Sequence, residues 1–173
     1  CDSERSRRPP MPIASVVSSK FLKKKKRRMN LDDFIRQIEK TKSFTDGFDF
    51  CFGEKLGLES LSNFEKKNEI EIPLKIKEFM LVANGLKTFN PDFEIIDLNL
   101  WKLRDKFIHF ATFDKTHKIV FDTRKLNSAN EWTILNEKNN YEITLTISSF
   151  WSNKIWHWLK QRHKIWTDNW WAE

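Results

Sequence analysis

The chain has 173 residues, 39% hydrophobic and 32% charged, with a formal net charge of +7. That size suits one domain of ordinary dimensions with a tail. The longest apolar run, Phe79-Met80-Leu81-Val82-Ala83, falls far short of the ~20 residues a membrane-spanning helix needs. Four glycines and five prolines exclude collagen-like and Gly/Pro low-complexity chains. Two cysteines, Cys1 and Cys51, exclude a disulfide-dense scaffold and a four-cysteine zinc site. Fifteen Phe and eight Trp supply the area for a real core despite the polar average.

The charge is unevenly placed. Residues 1–28 hold ten Lys/Arg against two acidic residues, a local charge of +8. The other 145 residues hold 21 basic and 22 acidic residues, a net −1. Pro9-Pro10, Pro12 and the cationic run Lys23 to Arg28 carry no helical or strand period, and such runs repel themselves and stay solvated. A disordered basic segment over 1–28 is therefore expected, with a single domain over 29–166 and a tail over 167–173. Met29-Asn30-Leu31-Asp32-Asp33 opens directly into a helix, which suits a native start at Met29 in a cytoplasmic protein. Cys1-Asp2-Ser3 also resembles the start of a mature bacterial lipoprotein, which would place an anchor at Cys1. A third reading is an arm for nucleic acid or an anionic membrane. The nearly neutral body itself is not expected to bind nucleic acid.

In chain order, Asn30 caps a first helix carrying Leu31, Phe34, Ile35 and Ile38 on one face and ending near Thr41. Residues 43–57, with Gly47, Gly53 and Gly57 among four Phe, read as a loop with a short strand. Cys51 reads there as a small buried apolar residue. Leu58, Leu61 and Phe64 mark a second helix to about Asn68. Pro73 suits the first position of a third, and Asn84-Gly85 ends it with glycine in a left-handed cap. Strands are expected at Phe93–Leu98, Phe107–Phe113, Lys118–Thr123, Trp132–Leu135 and Tyr141–Ile147. In the last, Tyr141, Ile143, Leu145 and Ile147 alternate with polar residues, the mark of a half-buried strand. Ser148-Ser149 then offers a cap for a final helix whose apolar face holds Trp151, Ile155, Trp158, Leu159, Arg162 and Trp166. Helices on either side of consecutive strands specify α+β: an antiparallel, twisted sheet of five to six strands with N-terminal helices and a C-terminal helix packed on it.

No catalytic, metal or cofactor constellation stands out. The glycines fit no phosphate loop. His157 and His163, six apart on the last helix, point to different sides. His109 reads as a half-buried strand residue and His117 as a turn residue. Asp97, Asp105, Asp114 and Asp122 are scattered at turns and strand ends. Trp156, Trp170 and Trp171 lie off the apolar face of the last helix and are the candidate exposed aromatics for a partner contact.

Phe64-Glu65-Lys66-Lys67-Asn68-Glu69-Ile70-Glu71-Ile72-Pro73 followed by Glu78-Phe79-Met80-Leu81-Val82-Ala83-Asn84-Gly85 resembles the signature of the SUKH superfamily. That group includes bacterial immunity proteins and the fungal Smi/Knr cell-wall-synthesis regulators. Its pattern is an acidic residue in a helix, a Leu-Pro-like step, an apolar helix and Asn-Gly, here at Glu65, Ile72-Pro73 and Asn84-Gly85. Phe107 to Ala111 and Ile119 to Asp122 are similar to its paired strands, and Thr146 to Phe150 to its closing step. Asp114-Lys115-Thr116-His117 departs from it in lacking glycine between the paired strands. The resemblance implies an α+β domain that binds other proteins and is no enzyme. It points to an immunity protein that blocks a cognate toxin, or alternatively to a Smi/Knr-type regulatory or scaffolding module. Glu65, Pro73, Asn84 and Gly85 are expected to be fold determinants.

Overall fold

The first helix begins where the capping residues put it. The Asn30 side chain accepts the Asp33 N–H at 2.9 Å while the Asp33 carboxylate accepts the Asn30 N–H at 3.2 Å, so two orphan donors are satisfied together. The computed structural model describes residues 29–172; the readings of residues 1–28 lie outside them. Helix α1 spans Leu31–Phe44, and strand β1, Asp49–Cys51, follows it. Helices α2, Leu58–Asn68, and α3, Leu74–Ala83, come next. Pro73 stands one residue before the helical stretch, with its carbonyl accepting from Ile76 and Lys77. Gly85 adopts φ +68°, the left-handed geometry that favours glycine.

Eight strands then make one antiparallel sheet in the order β1-β2-β3-β5-β6-β7-β8, with β4 also paired to β5. Their spans are β2 Lys87–Phe89, β3 Phe93–Ile95, β4 Leu103–Arg104, β5 Phe107–Phe113, β6 His117–Asp122, β7 Thr133–Asn136 and β8 Glu142–Thr144. The seven-residue β5 organises this layer: β3 takes one half of its edge, β4 the other, and β6 the opposite edge. The expected class holds, with a higher strand count. Strand β2 is three residues long and β4 two, too short to show a period of two in sequence.

Both hairpins that enter and leave β5 turn on Asp-Lys. Asp105 and Lys106, at φ 50° and 69°, join β4 to β5; Asp114 and Lys115, at φ 50° and 64°, join β5 to β6. Two successive left-handed residues match the twist of the flanking strands. The missing glycine is thus replaced by Asp-Lys held in the glycine conformation.

The last helix differs more from expectation. It starts at Ile147 and is capped by Thr146, whose hydroxyl accepts the Ser149 N–H at 3.1 Å, and not by Ser148 or Ser149. It runs as α4, Ile147–Ser149, a π turn, Phe150–Lys154, and α5, Ile155–Gln161. Arg162 adopts φ 60° and stops it. Trp166 therefore lies past the helix and folds back, its ring 5.3 Å from Phe113 and 5.0 Å from Trp158. The tail continues as a 3-10 turn, Trp170–Ala172. Strand β8 is shorter than the alternation suggested, because Leu145 gives its carbonyl to the Asn127 side chain and Thr146 becomes the cap.

The helices cover one face of the sheet. Phe110 stacks on Phe121 at 3.7 Å, and Phe150 of the π turn reaches Phe93, Phe110 and Phe113. Phe34 of α1 sits against Phe79, Trp151 and Trp156, tying three helices together. On the other face Lys87, Glu94, Thr112 and Lys118 pair in one row across four strands. Lys115→Gly should relieve the left-handed penalty of the β5–β6 turn and stabilise the fold by about 0.5–1 kcal/mol. Thermal unfolding measures it as a rise in Tm of about 1–4 °C.

Candidate protein-binding surface

The four signature residues hold backbone. Glu65 accepts the Ile72 N–H at 2.9 Å and pairs with Lys77 at 2.6 Å, while its carbonyl accepts from Ile70. It thereby fixes the α2–α3 link and presents Pro73 to the start of α3. Asn84 uses its whole amide. Its oxygen accepts the Leu98 N–H at 2.8 Å, and its nitrogen donates to the Glu54 carbonyl at 3.0 Å and to Asp97 at 3.1 Å. Its carbonyl accepts the Gly53 N–H at 3.1 Å. Here two chain segments cross with no room for side chains. A Cβ on Gly53 would lie 2.8 Å from the Gly85 Cα, and one on Gly85 2.9 Å from the Gly53 Cα. The contacts of these residues serve the fold.

The scattered carboxylates do not converge. Asp97 caps the turn Leu98–Leu100, and Asp105 and Asp114 are hairpin residues. Asp122 takes both Arg124 nitrogens, at 2.9 and 2.7 Å, and that guanidinium holds its carboxyl below the usual carboxylate range. Burial raises the Glu131 carboxyl, yet its oxygen is committed to the Ile147 N–H at 2.7 Å. Among the described residues no three His, Cys, Asp or Glu side chains are grouped as metal ligands. Cys51 is exposed, contrary to expectation, because β1 is an edge strand. His117 opens β6 and stacks on Trp166 at 4.5 Å, so it is no turn residue. His157 and His163 are brought together, Nδ1 to Nδ1 at 3.1 Å, with ring centroids 5.4 Å apart. The helical wheel separated them; the left-handed stop at Arg162 folds His163 back.

Of the three tryptophans expected to be exposed, Trp171 is, at 62%. Trp156 and Trp170 are each only 8% exposed. The wheel assumed one buried face, but α5 has two: Trp158 meets Trp166 on the sheet side, and Trp156 meets Phe34 of α1. Trp170 is buried on the His157 and His163 rings, with the Lys154 ammonium 4.8 Å above it.

The most prominent exposed aromatic is instead Phe44, 85% exposed at the last residue of α1. It lines a groove of about 480 Å³ between the end of α1 and the end of α5. One wall is Gln37, Lys40, Thr41 and Phe44, a single face of α1; the other is Leu159, Lys160 and Arg162. The sequence reading ended α1 near Thr41 and so left Phe44 in a loop. Extending the spacing by one turn would have placed it on the face of Lys40.

No protein-family model matches the sequence, and comparison with curated proteins gives no match. Among the described residues no helix is long and apolar enough to cross a membrane. Phe44, Lys40, Lys160 and Arg162 are exposed at the α1–α5 groove, over the buried Thr41 and Leu159, which makes this groove the candidate site.

Two outcomes follow from the geometry. Asn84→Ala strips the Leu98 N–H of its acceptor inside the fold and should cost about 2–4 kcal/mol, read as a lower urea midpoint with unchanged slope. Burial also lowers the His109 pKa, with Lys118 adding to it, and burial lowers that of His117. Both rings give up their proton more readily in the fold than in the unfolded chain, so below about pH 6.5 the unfolded chain binds more protons. Their contribution is present above that pH and is lost as pH falls through the lower folded values. His109→Gln with His117→Gln should flatten that part of a stability–pH curve.

Proposed function

We propose that the chain is an immunity protein of a bacterial polymorphic or contact-dependent toxin system, neutralising a cognate toxin in the cytoplasm by direct binding. The reading draws on the resemblance around Glu65, Pro73, Asn84 and Gly85, and on the α+β order of helices, sheet and helix. One observation carries the binding part. An aromatic ring 85% exposed stands beside Lys40, Lys160 and Arg162 in a groove, at the ends of two helices that meet through Phe34 and Trp156.

Such a surface suits adhesion to a protein. A specific complex covers ~800 Å² per partner and draws most of its affinity from a few aromatic and arginine anchors. Phe44 and Arg162 are of those types. The end of α1 presents Phe44, and the Leu159 and Asn90 carbonyls orient Arg162, which limits the freedom it loses on binding. The carboxylates tested above are each committed to a cap, a turn or an ion pair, which favours adhesion over bond-making.

The test is pull-down with the product of the adjacent gene, followed by toxicity rescue in cells producing that product. Stoichiometric capture and restored growth are expected. Capture of a housekeeping protein with no protection would overturn the immunity reading in favour of a regulatory module.

A further inference from the structure

We infer that the groove between α1 and α5 takes an acidic amphipathic segment of a protein partner, an apolar side chain flanked by carboxylates. This rests on the protein-binding reading above and adds the partner's chemistry. Phe44 supplies the apolar contact, over a floor of buried Leu159, and Lys40, Lys160 and Arg162 supply charge, with no carboxylate in the lining. Among the described residues none of these three cations is in an ion pair. Arg162 does donate to the carbonyls of Leu159 and Asn90, which orient it without neutralising it.

Both helices end here, and cations at a helix C-terminus also answer the helix dipole. Each end carries roughly half a negative charge, so the two together offset about one of the three cations. A local excess of about two positive charges remains, on a body whose own net charge is −1.

Other grooves differ in kind. The one on the open sheet face balances Lys87 with Glu94 and Lys115 with Asp92. The one beside Pro73 sets Glu71 against Lys125. The one holding Lys67 and Lys102 is lined with asparagines and has no exposed aromatic ring.

A second observation lies on α5 itself. The Lys160 ammonium sits 5.0 Å over the Trp156 ring, one helical turn back. The Trp156 indole N–H, in a side chain only 8% exposed, has no acceptor. Buried donors without partners are uncommon and costly. That donor is shut away from solvent and outside the groove lining; the Lys160 ammonium above the ring is the group a partner carboxylate meets.

The test uses the full chain and a fluorescein-labelled 14-residue helical peptide, designed with Leu at a spacing of three and four and Glu at flanking positions. A twin peptide carries Lys in place of every Glu. Fluorescence anisotropy should show saturable binding of the Glu peptide and none of the Lys twin. Phe44→Ala should weaken binding about tenfold, and Lys40→Glu with Lys160→Glu at least tenfold. These side chains are on the surface, so unchanged circular dichroism and Tm would confirm that each variant is folded. Raising NaCl from about 50 to 300 mM should weaken the wild-type complex severalfold. Binding that ignores both groove variants places the contact elsewhere, residues 1–28 included, and overturns the inference. Equal competition by poly(U) or by phosphatidylglycerol vesicles overturns it in favour of a general anion surface. If the groove variants bind peptide as predicted but wild type rescues no neighbouring toxin, the immunity reading fails and the groove stands. If wild type rescues and the groove variants rescue equally well, the toxin uses another surface and the inference falls.

Discussion

The fold depends on one crossing of backbone. Gly53 and Gly85 pass within the space a methyl group would occupy, and Asn84 fastens the crossing from both sides. Its amide joins three stretches far apart in sequence: the chain leaving β1, the end of α3, and the turn at Leu98. Such a node has few substitutes. Aspartate would lose the two donated bonds, and a larger residue at either glycine would push the segments apart. Once this point is fixed, β1 lies against β2 and α3 lies over the sheet, so the helical and pleated layers meet in one register.

Around that node large aromatic rings join the layers, among buried isoleucines and leucines. Phe93, Phe110, Phe113, Phe121 and Phe150 form a continuous contact between sheet and C-terminal helix. Phe34 extends it into α1. Each large ring removes much apolar surface from water at a small cost in side-chain freedom, and angled pairs add to that. This explains how a chain with an average hydropathy of −0.62 supports a packed core. The fifteen buried Phe and Trp add large rings to an aliphatic core. Their size also explains why α5 is covered on two sides: the rings of Trp156 and Trp158 are broad enough to reach α1 and the tail at once.

Much of the fold was legible because local chemistry and tertiary structure agree. Asn30, Pro73 and Gly85 mark helix ends by backbone roles that hold in any context. Strands β5 and β6 read as apolar runs bounded by turns, and they are buried at Phe110–Phe113 and Ile119–Phe121. What was missed depends on contacts distant in sequence. Strands β2 and β4 exist because β3 and β5 offer them edges. His163 reaches His157 because Arg162 adopts a left-handed conformation that no motif announces. The burial of Trp156 and Trp170 comes from α1 and from a tail folding back, neither visible on a helical wheel. Phe44 was overlooked for a simpler reason: α1 runs three residues further than its apolar stripe.

The strands at the two ends of the sheet order, β1 and β8, are only three residues each. Asp49 on one is paired with Lys42, and Glu142 on the other is exposed. Short, charged margins offer little unpaired main chain for another strand to grow on. The protein is thereby guarded against strand-to-strand stacking at high copy number.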